Sequence, residues 1–216
     1  MPGYVPQTDD LIVLAIPPQS FAAFAHGRPA GAFRQATIVS VMAGVPTAAI
    51  IRRLDAPYVV RAMPNVASQV SQGMTVMYAS AAVTAPKRAV AERALGSIGR
   101  VMVVADEDLL DVATALAGGG PAFVAYVAKT FTDFADKAGF TDEQARILTC
   151  QVLRGTADLL ETTRQDPERV YRNAMTPGGA TERGILALQQ HGLHDNLLDA
   201  LEQAGGRARE LGGISR

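Results

Sequence analysis

The sequence predicts an α/β domain with a parallel sheet, followed by an all-helical domain. Two observations lead to this prediction. Short apolar, strand-like runs alternate with helical patterns up to about residue 105, and only helical patterns follow. Such alternation is typical of a layered α/β fold whose parallel strands are joined by crossover helices. We therefore expect two domains, at residues 1–105 and 106–216, without a flexible linker between them.

The first half contains five strand-like runs and three helix-like segments. Leu11–Ile16 is continuously apolar, as expected of a strand that is buried on both faces of a parallel sheet. Pro86 lies where the first turn of a helix tolerates proline. The remaining strands are predicted at 37–41, 58–63, 74–78 and 101–104, and the helices at 20–26, 47–54 and 86–97.

The second half shows helical periodicity throughout. Thr141, with Gln144 three residues later, predicts a capping box, and Gly139 predicts the end of the preceding helix. Apolar residues between 124 and 160 form more than one stripe, so these helices need more than one neighbour. This favours a homodimer, with a compact monomeric bundle as the alternative. Helices are predicted at 108–116, 121–138, 142–163 and 193–211, with shorter ones after Pro167 and around 185–188.

Composition argues against several classes of protein. The formal net charge is −1 and the basic residues are scattered, so no nucleic-acid surface is expected. Leu11–Pro18 is too short to span a bilayer and lacks the basic flank of a signal peptide. Cys150 is the only cysteine, which excludes an internal disulfide. We expect a cytoplasmic protein that binds neither nucleic acid nor membrane.

The most specific segment is Thr176-Pro177-Gly178-Gly179-Ala180-Thr181. Two glycines after a proline predict a turn whose backbone can approach a ligand closely. Free N–H groups at the start of the next helix would form a site for a carboxylate, with the Thr181 hydroxyl beside it. The alternative is an ordinary interhelical turn in which Thr181 caps the helix.

This segment resembles the signature of pyrroline-5-carboxylate reductases, which reduce 1-pyrroline-5-carboxylate to L-proline with NADPH or NADH. Further motifs are similar to those of the family and follow in its order along nearly the whole chain. The resemblance implies a partial Rossmann-like nucleotide-binding domain, then a helical dimerisation and substrate-binding domain whose dimers build into rings. These motifs are Leu14-Ala15-Ile16-Pro17-Pro18-Gln19, Arg61-Ala62-Met63-Pro64-Asn65 with Gly73-Met74-Thr75, and Ala115–Phe123.

The resemblance also implies roles for individual residues. The N–H groups of Gly179, Ala180 and Thr181 would hold the substrate carboxylate, and the Thr181 hydroxyl would act on the ring nitrogen as the catalytic group. The other residues expected to contact the substrate are Thr176, Gly178, Gly119 and Gly120. The residues expected to contact NADPH or NADH are Ala15, Ile16, Pro17, Ala43, Asn65 and Asn173.

One of these interpretations has an alternative, and metal binding is not expected. Asn65 either contacts the cofactor or serves turn formation. Asp106-Glu107-Asp108 is interpreted as a charge cluster at a helix start. His191 and His194 are better explained by a helix C-terminus than by a metal site.

The chain also departs from the family's pattern. Pro17 stands where lysine is typical, Gly119 where serine is common, and Val66 where threonine is usual. The family's Gly-x-Gly-x-x-Gly turn does not occur, and the resemblance implies a start just before the fourth strand of a complete nucleotide domain. We therefore expect slow turnover. Two alternatives stay open: a non-catalytic dimeric scaffold derived from the family, and a reductase of another cyclic imine.

Overall fold

Five strands form one sheet in the order β1-β2-β3-β4-β5 in the computed structural model. The structure describes Tyr4 and residues 6–214, with the backbone alone for 211–214. The strands are β1 (Leu11–Leu14), β2 (Thr37–Ser40), β3 (Val59–Met63), β4 (Gly73–Ala79) and β5 (Gly99–Val103). The first helices are α1 (Phe21–His26), α2 (Thr47–Leu54) and α3 (Ala85–Gly96).

The predicted fold class is confirmed, with one reversal of direction within the sheet. Strands β1, β2 and β3 are parallel, whereas β4 runs antiparallel to β3 and β5 runs parallel to β4. The segment Pro64–Gln72 joins β3 to β4 and contains only a short 3₁₀ helix, Val66–Val70. A parallel connection requires a dozen or more residues, usually with an α-helix, so this short link turns the chain back on itself.

Helices cover both faces of the sheet because successive strand residues point to opposite sides. Val59 joins the apolar cluster formed with α1 and α2, while its neighbour Val60 joins the cluster formed with α3. Burial of this apolar area supplies most of the free energy that stabilises the layers. The fully buried side chains on the two faces include Ile38, Ile50, Val59, Val39, Val60 and Met77.

The second half is helical, as predicted. Gly139 ends α5 in the left-handed region with φ +93°, and Thr141 and Gln144 form the predicted capping box at the start of α6. The helices are α4 (Leu109–Ala113), a π-helical turn (Thr114–Gly118), α5 (Gly120–Lys137), α6 (Asp142–Thr163), α7 (Pro167–Asn173), α8 (Ala180–Gln190) and α9 (Leu193–Ile214).

Two compact units result from the packing of these elements. The first comprises Met1–Pro121 together with Leu201–Arg216, within the described residues, and the second comprises Ala122–Ala200. The boundary expected near residue 105 stays a prediction. One helical stretch, Leu109–Lys137, is long and apolar enough to cross a membrane by length and composition alone. Its exposed side chains include Tyr126 and Phe134.

Candidate functional site

The predicted turn at residues 176–179 has the geometry of a type II β-turn. Pro177 precedes Gly178, whose φ of +72° suits glycine, and the N–H of Gly179 donates to the carbonyl oxygen of Thr176 at 2.8 Å. A Cβ atom on Gly179 would collide with the Thr176 hydroxyl and would lie 2.9 Å from the Thr176 carbonyl oxygen. The turn therefore requires glycine at position 179.

Helix α8 begins immediately after this turn. Its first residue is Ala180 and its N-cap is Gly179, so the interpretation of Thr181 as the N-cap is wrong. Within the described residues, the N–H groups of Ala180 and Thr181 meet no hydrogen-bond acceptor, as is usual in a first helical turn. The Thr181 side chain is exposed. Two amide dipoles and one hydroxyl thus share one end of the helix, an arrangement that suits a carboxylate.

Glu182 reduces the number of amides that remain available in this segment. Its Oε2 accepts a hydrogen bond of 2.7 Å from the N–H of Gly178. The N–H of Gly179 is also engaged, by the carbonyl of Thr176. Sequence reasoning missed this role of Glu182, although an acidic residue in the third helical position is a familiar capping signal.

Residues expected to contact the cofactor follow the parallel strands at one edge of the sheet. Ala15, Ile16 and Pro17 come after β1, and Ala43 comes after β2. Because β1 and β2 are parallel, these segments lie at the same carboxyl edge, where ligands bind in open α/β sheets. Ala15 and Pro17 are exposed and Ala43 is half-buried. Small uncharged side chains at this edge would allow a cofactor to lie close to the backbone.

The side chain of Asn65 is engaged within the protein. Its Nδ2 donates to the carbonyl oxygen of Ala117 at 2.9 Å. Its Oδ1 accepts from the N–H groups of Ala67 and Met74 at 3.2 and 3.3 Å. Asn173 is exposed at the end of α7 in the second unit.

Gly119 and Gly120 follow the π-helical turn in the first unit. The N–H of Gly119 donates to the carbonyl oxygen of Thr114 at 2.9 Å, which closes that turn. A Cβ atom on Gly120 would meet nothing within 4 Å, so the structure leaves open space beside this glycine. Single π-helical turns occur frequently at functional sites.

A buried ionic cluster beside this segment was not foreseen from the sequence. Arg61 is 5% exposed, and its Nη2 and Nη1 lie 2.7 Å from Asp111 Oδ1 and 3.4 Å from Glu107 Oε1. Glu107 also accepts from the N–H and the hydroxyl of Thr47, at 2.8 and 2.6 Å. Glu107 therefore anchors the start of α2, besides belonging to the acidic cluster before α4. An arginine inside an apolar strand was the available signal, because buried charges are almost always paired.

An apolar groove with a volume of about 320 Å³ lies among α7, α8 and α9. None of the predicted site residues lines it. His194 does. The explanation by a helix C-terminus is confirmed for His191, the C-cap of α8, but is wrong for His194, which lies in the first turn of α9. Across the described residues, no group of three His, Cys, Asp or Glu side chains is arranged to hold a metal ion. The groove is lined by Tyr171, Ile185, Leu188, Gln189, Leu193, His194 and Leu197.

Comparison with known proteins identifies relatives of the whole described fold. A family model for pyrroline-5-carboxylate reductase dimerisation matches residues 107–211. Pyrroline-5-carboxylate reductase from Pseudomonas aeruginosa is 32% identical over 203 residues, which cover 94% of this chain and 74% of the relative.

Solved structures agree with this relationship. A pyrroline-5-carboxylate reductase from Coxiella burnetii superposes with a TM-score of 0.82 at 30% identity, covering 94% of this chain and 76% of that one. The Plasmodium falciparum pyrroline carboxylate reductase, solved with NADP bound, gives a TM-score of 0.87 at 22% identity and shows the same fold over 94% of this chain and 77% of that one. The protein described here is therefore a member of the pyrroline-5-carboxylate reductase family.

Proposed function

We propose that this chain reduces 1-pyrroline-5-carboxylate to L-proline with NADPH or NADH, in the proline biosynthesis that the family carries out. The observation that carries the proposal is the start of α8, where the amides of Ala180 and Thr181 and the Thr181 hydroxyl have no acceptor or donor partner among the described residues. Family membership supplies the substrate class, and this helix end supplies a binding mode for its carboxylate.

Substrate binding follows from the geometry of the turn. The two amide dipoles receive the carboxylate, while Gly178 and Gly179 shape the turn that presents them. Thr176 contributes through its carbonyl oxygen and hydroxyl, which lie against Gly179. We assign Gly119 and Gly120 to contact with the ring, because small residues allow it to lie against backbone.

Imine reduction asks little of side chains. A hydride adds to the imine carbon, the carbon–nitrogen double bond becomes single, and the nitrogen gains a proton. A nicotinamide, when bound, supplies that hydride. The Thr181 hydroxyl polarises the nitrogen by hydrogen bonding, while the proton comes from water or from an already protonated iminium, because the pKa of an alcohol is far above neutral.

The cofactor would lie along the carboxyl edge of β1 and β2, against Ala15, Ile16, Pro17 and Ala43. Asn173 is assigned to the same group by resemblance. None of these side chains is charged, so contact through backbone and small side chains suits this edge. The preference between NADPH and NADH is left to measurement.

Self-association accompanies this function. The dimerisation domain of the family covers 107–211, and large apolar side chains in this range are exposed, Tyr126 at 80% and Phe134 at 75%. Exposed apolar area of this kind marks an interaction surface. We assign this surface, together with the apolar stretch Leu109–Lys137, to contact with a second copy of the chain. We further propose that the dimers assemble into a higher ring and that the protein lies in the cytoplasm.

The purified chain, mixed with 1-pyrroline-5-carboxylate and NADPH or NADH, should consume reduced cofactor and form proline in equal amounts. The six-membered homologue of the substrate serves as a control for ring size, and faster turnover of that homologue would indicate a different cyclic imine. Binding of neither cofactor nor a proline-like carboxylate would instead favour the scaffold alternative. The same assay gives kcat, which we expect to be low.

A further inference from the structure

One face at the end of β3 contacts a single helical stretch at three places. Arg61 and Met63 alternate along β3 and so project to the same side, and Asn65 follows two residues later with an extended backbone. Arg61 Nη2 reaches Asp111 Oδ1 at 2.7 Å, and Asn65 Nδ2 reaches the carbonyl oxygen of Ala117 at 2.9 Å. Between them Met63 lies so close to Gly118 that a Cβ atom there would stand 2.7 Å from the methionine methyl carbon.

The hydrogen bond from Asn65 supplies a donor to the helical stretch at Ala117, where the backbone offers none. In a regular α-helix the carbonyl oxygen of Ala117 would accept from the N–H of residue 121, which is Pro121 and has no N–H. The carbonyl oxygen of Ala117 finds its donor in Asn65, which lies 52 residues earlier in the chain. An unpaired, half-buried carbonyl would destabilise this segment, so the contact stabilises the backbone at Ala117, directly before Gly118 and Gly119.

The amide of Asn65 uses its oxygen and one of its two N–H donors within the protein. Its oxygen accepts from Ala67 and Met74, which orients the NH₂ group toward Ala117. Arg61 is buried and paired with two carboxylates, whereas Asn65 is half-buried. These contacts direct the guanidinium of Arg61 and the side-chain oxygen of Asn65 toward the protein.

We propose that Asn65 and Arg61 are positioning residues that fix the backbone of Gly119 and Gly120 through the π-helical turn. This inference rests on the proposed function, in which the ring of the substrate lies against these two glycines. Asn65 then acts on catalysis through Ala117, and it need not touch the cofactor. A shift of the reacting atoms by about 1 Å costs up to about a hundredfold in rate, which is the scale of effect expected here.

The test is Asn65→Asp, which keeps the shape of the side chain and the acceptor for Ala67 and Met74. The ionised variant presents an oxygen to the carbonyl of Ala117 and should loosen the turn. We expect amide hydrogens in 114–120 to exchange about tenfold faster than in the wild type, the change that corresponds to about one lost hydrogen bond. We also expect kcat to fall, with the cofactor Kd nearly unchanged.

A pH profile separates positioning from a general loss of structure. Once protonated, the introduced carboxyl group can donate to Ala117, so the deficit in kcat relative to wild type should shrink only as the pH falls toward about 4, the ordinary pKa of an aspartate. The matched control is Asn196→Asp, because Asn196 also donates to a backbone carbonyl, that of His191 at 3.4 Å, but is exposed. It should alter neither exchange in 114–120 nor kcat.

Asp111→Asn gives an independent variant, because it removes the carboxylate that pairs with Arg61. It too should accelerate the exchange of amide hydrogens in 114–120. Unchanged amide-hydrogen exchange in both variants would overturn the inference. It would also be overturned if Asn65→Asp lost activity only because it binds the cofactor more weakly, with kcat unchanged. If the wild type reduces no imine, the proposed function fails, while the exchange measurements still decide whether Asn65 and Arg61 hold the glycines.

Discussion

The carbonyl oxygen of Thr176 accepts a 2.8 Å hydrogen bond from Gly179 and occupies the space that a side chain at position 179 would need. Gly179→Ala should therefore force the turn open and displace the amides of Ala180 and Thr181. We expect the KM for the imine to rise by about one to two orders of magnitude, which corresponds to about 1.4 to 3 kcal/mol. Steady-state kinetics measures this change.

Gly184→Ala is the matched control for that substitution. Gly184 lies inside α8, and a Cβ atom there would meet nothing within 4 Å. Alanine should stabilise the helix by up to about 1 kcal/mol and leave KM unchanged. Equal KM values for the two variants would contradict the assigned role of the turn.

Thr181→Val should lower kcat by about a hundredfold, because it removes the hydroxyl that we propose to polarise the reacting nitrogen while keeping the shape of the side chain. Thr181→Ser retains the hydroxyl and should keep most of the activity. Circular dichroism would verify that both variants fold. Full activity in Thr181→Val would rule out the catalytic assignment.

Arg61→Met should destabilise the protein by about 3 to 5 kcal/mol, because it leaves Asp111 and Glu107 with an uncompensated charge in a largely buried place. Urea unfolding measures this difference. The control, Arg88→Met, removes an exposed partner of Glu92 on α3 and should cost less than about 1 kcal/mol. Similar costs for the two variants would show that burial does not strengthen the Arg61 cluster.

Glu143 gives the chain a small dependence of stability on pH. Hydrogen bonds from Arg146, and its charge, hold the pKa of this carboxyl below its ordinary value of 4.5. Because the pKa is lowered in the folded state, the ionised group favours folding above the unfolded pKa, and this contribution is lost as the pH falls through the folded pKa. Wild type should melt slightly above Glu143→Gln at neutral pH, and this difference should disappear as the pH falls through the lowered pKa of Glu143 in the folded state. High salt should reduce the difference in melting temperature between the two proteins at neutral pH.

Phe134→Glu should weaken self-association, because it places a charge on a side chain that is 75% exposed within the dimerisation domain. Sedimentation velocity should show a shift toward monomer at concentrations where the wild type is associated. Val90→Glu, on α3 outside that domain, alters another exposed apolar residue and should leave association unchanged. If Val90→Glu weakened self-association more than Phe134→Glu did, the interface would lie outside the surface around Phe134.

Local patterns carried most of the fold. The capping box at Thr141 is confirmed, because it depends on neighbours in the chain. The apolar run Leu11–Ile16 gave a strand, but it ends at Leu14, and Val13 is exposed instead of buried on both faces as expected. The reversal of β4 depends on the length of a connection and was not recognised. Pairing of Arg61 with Asp111 joins residues 50 positions apart, which no local pattern encodes. The turn after Thr176 was predicted, but the use of its Gly178 amide by Glu182 was not.

The reversal between β3 and β4 has a practical value for labelling. The end of β4 lies beside the start of β3, with Ala79 opposite Val60, so the turn that follows β4 opens on the edge remote from the segments after β1 and β2. Ala81 and Ala82 in this turn are exposed. A fluorophore on a cysteine introduced at either position, in a chain whose exposed Cys150 is replaced by serine, would report on tumbling and assembly from the edge opposite the proposed cofactor edge.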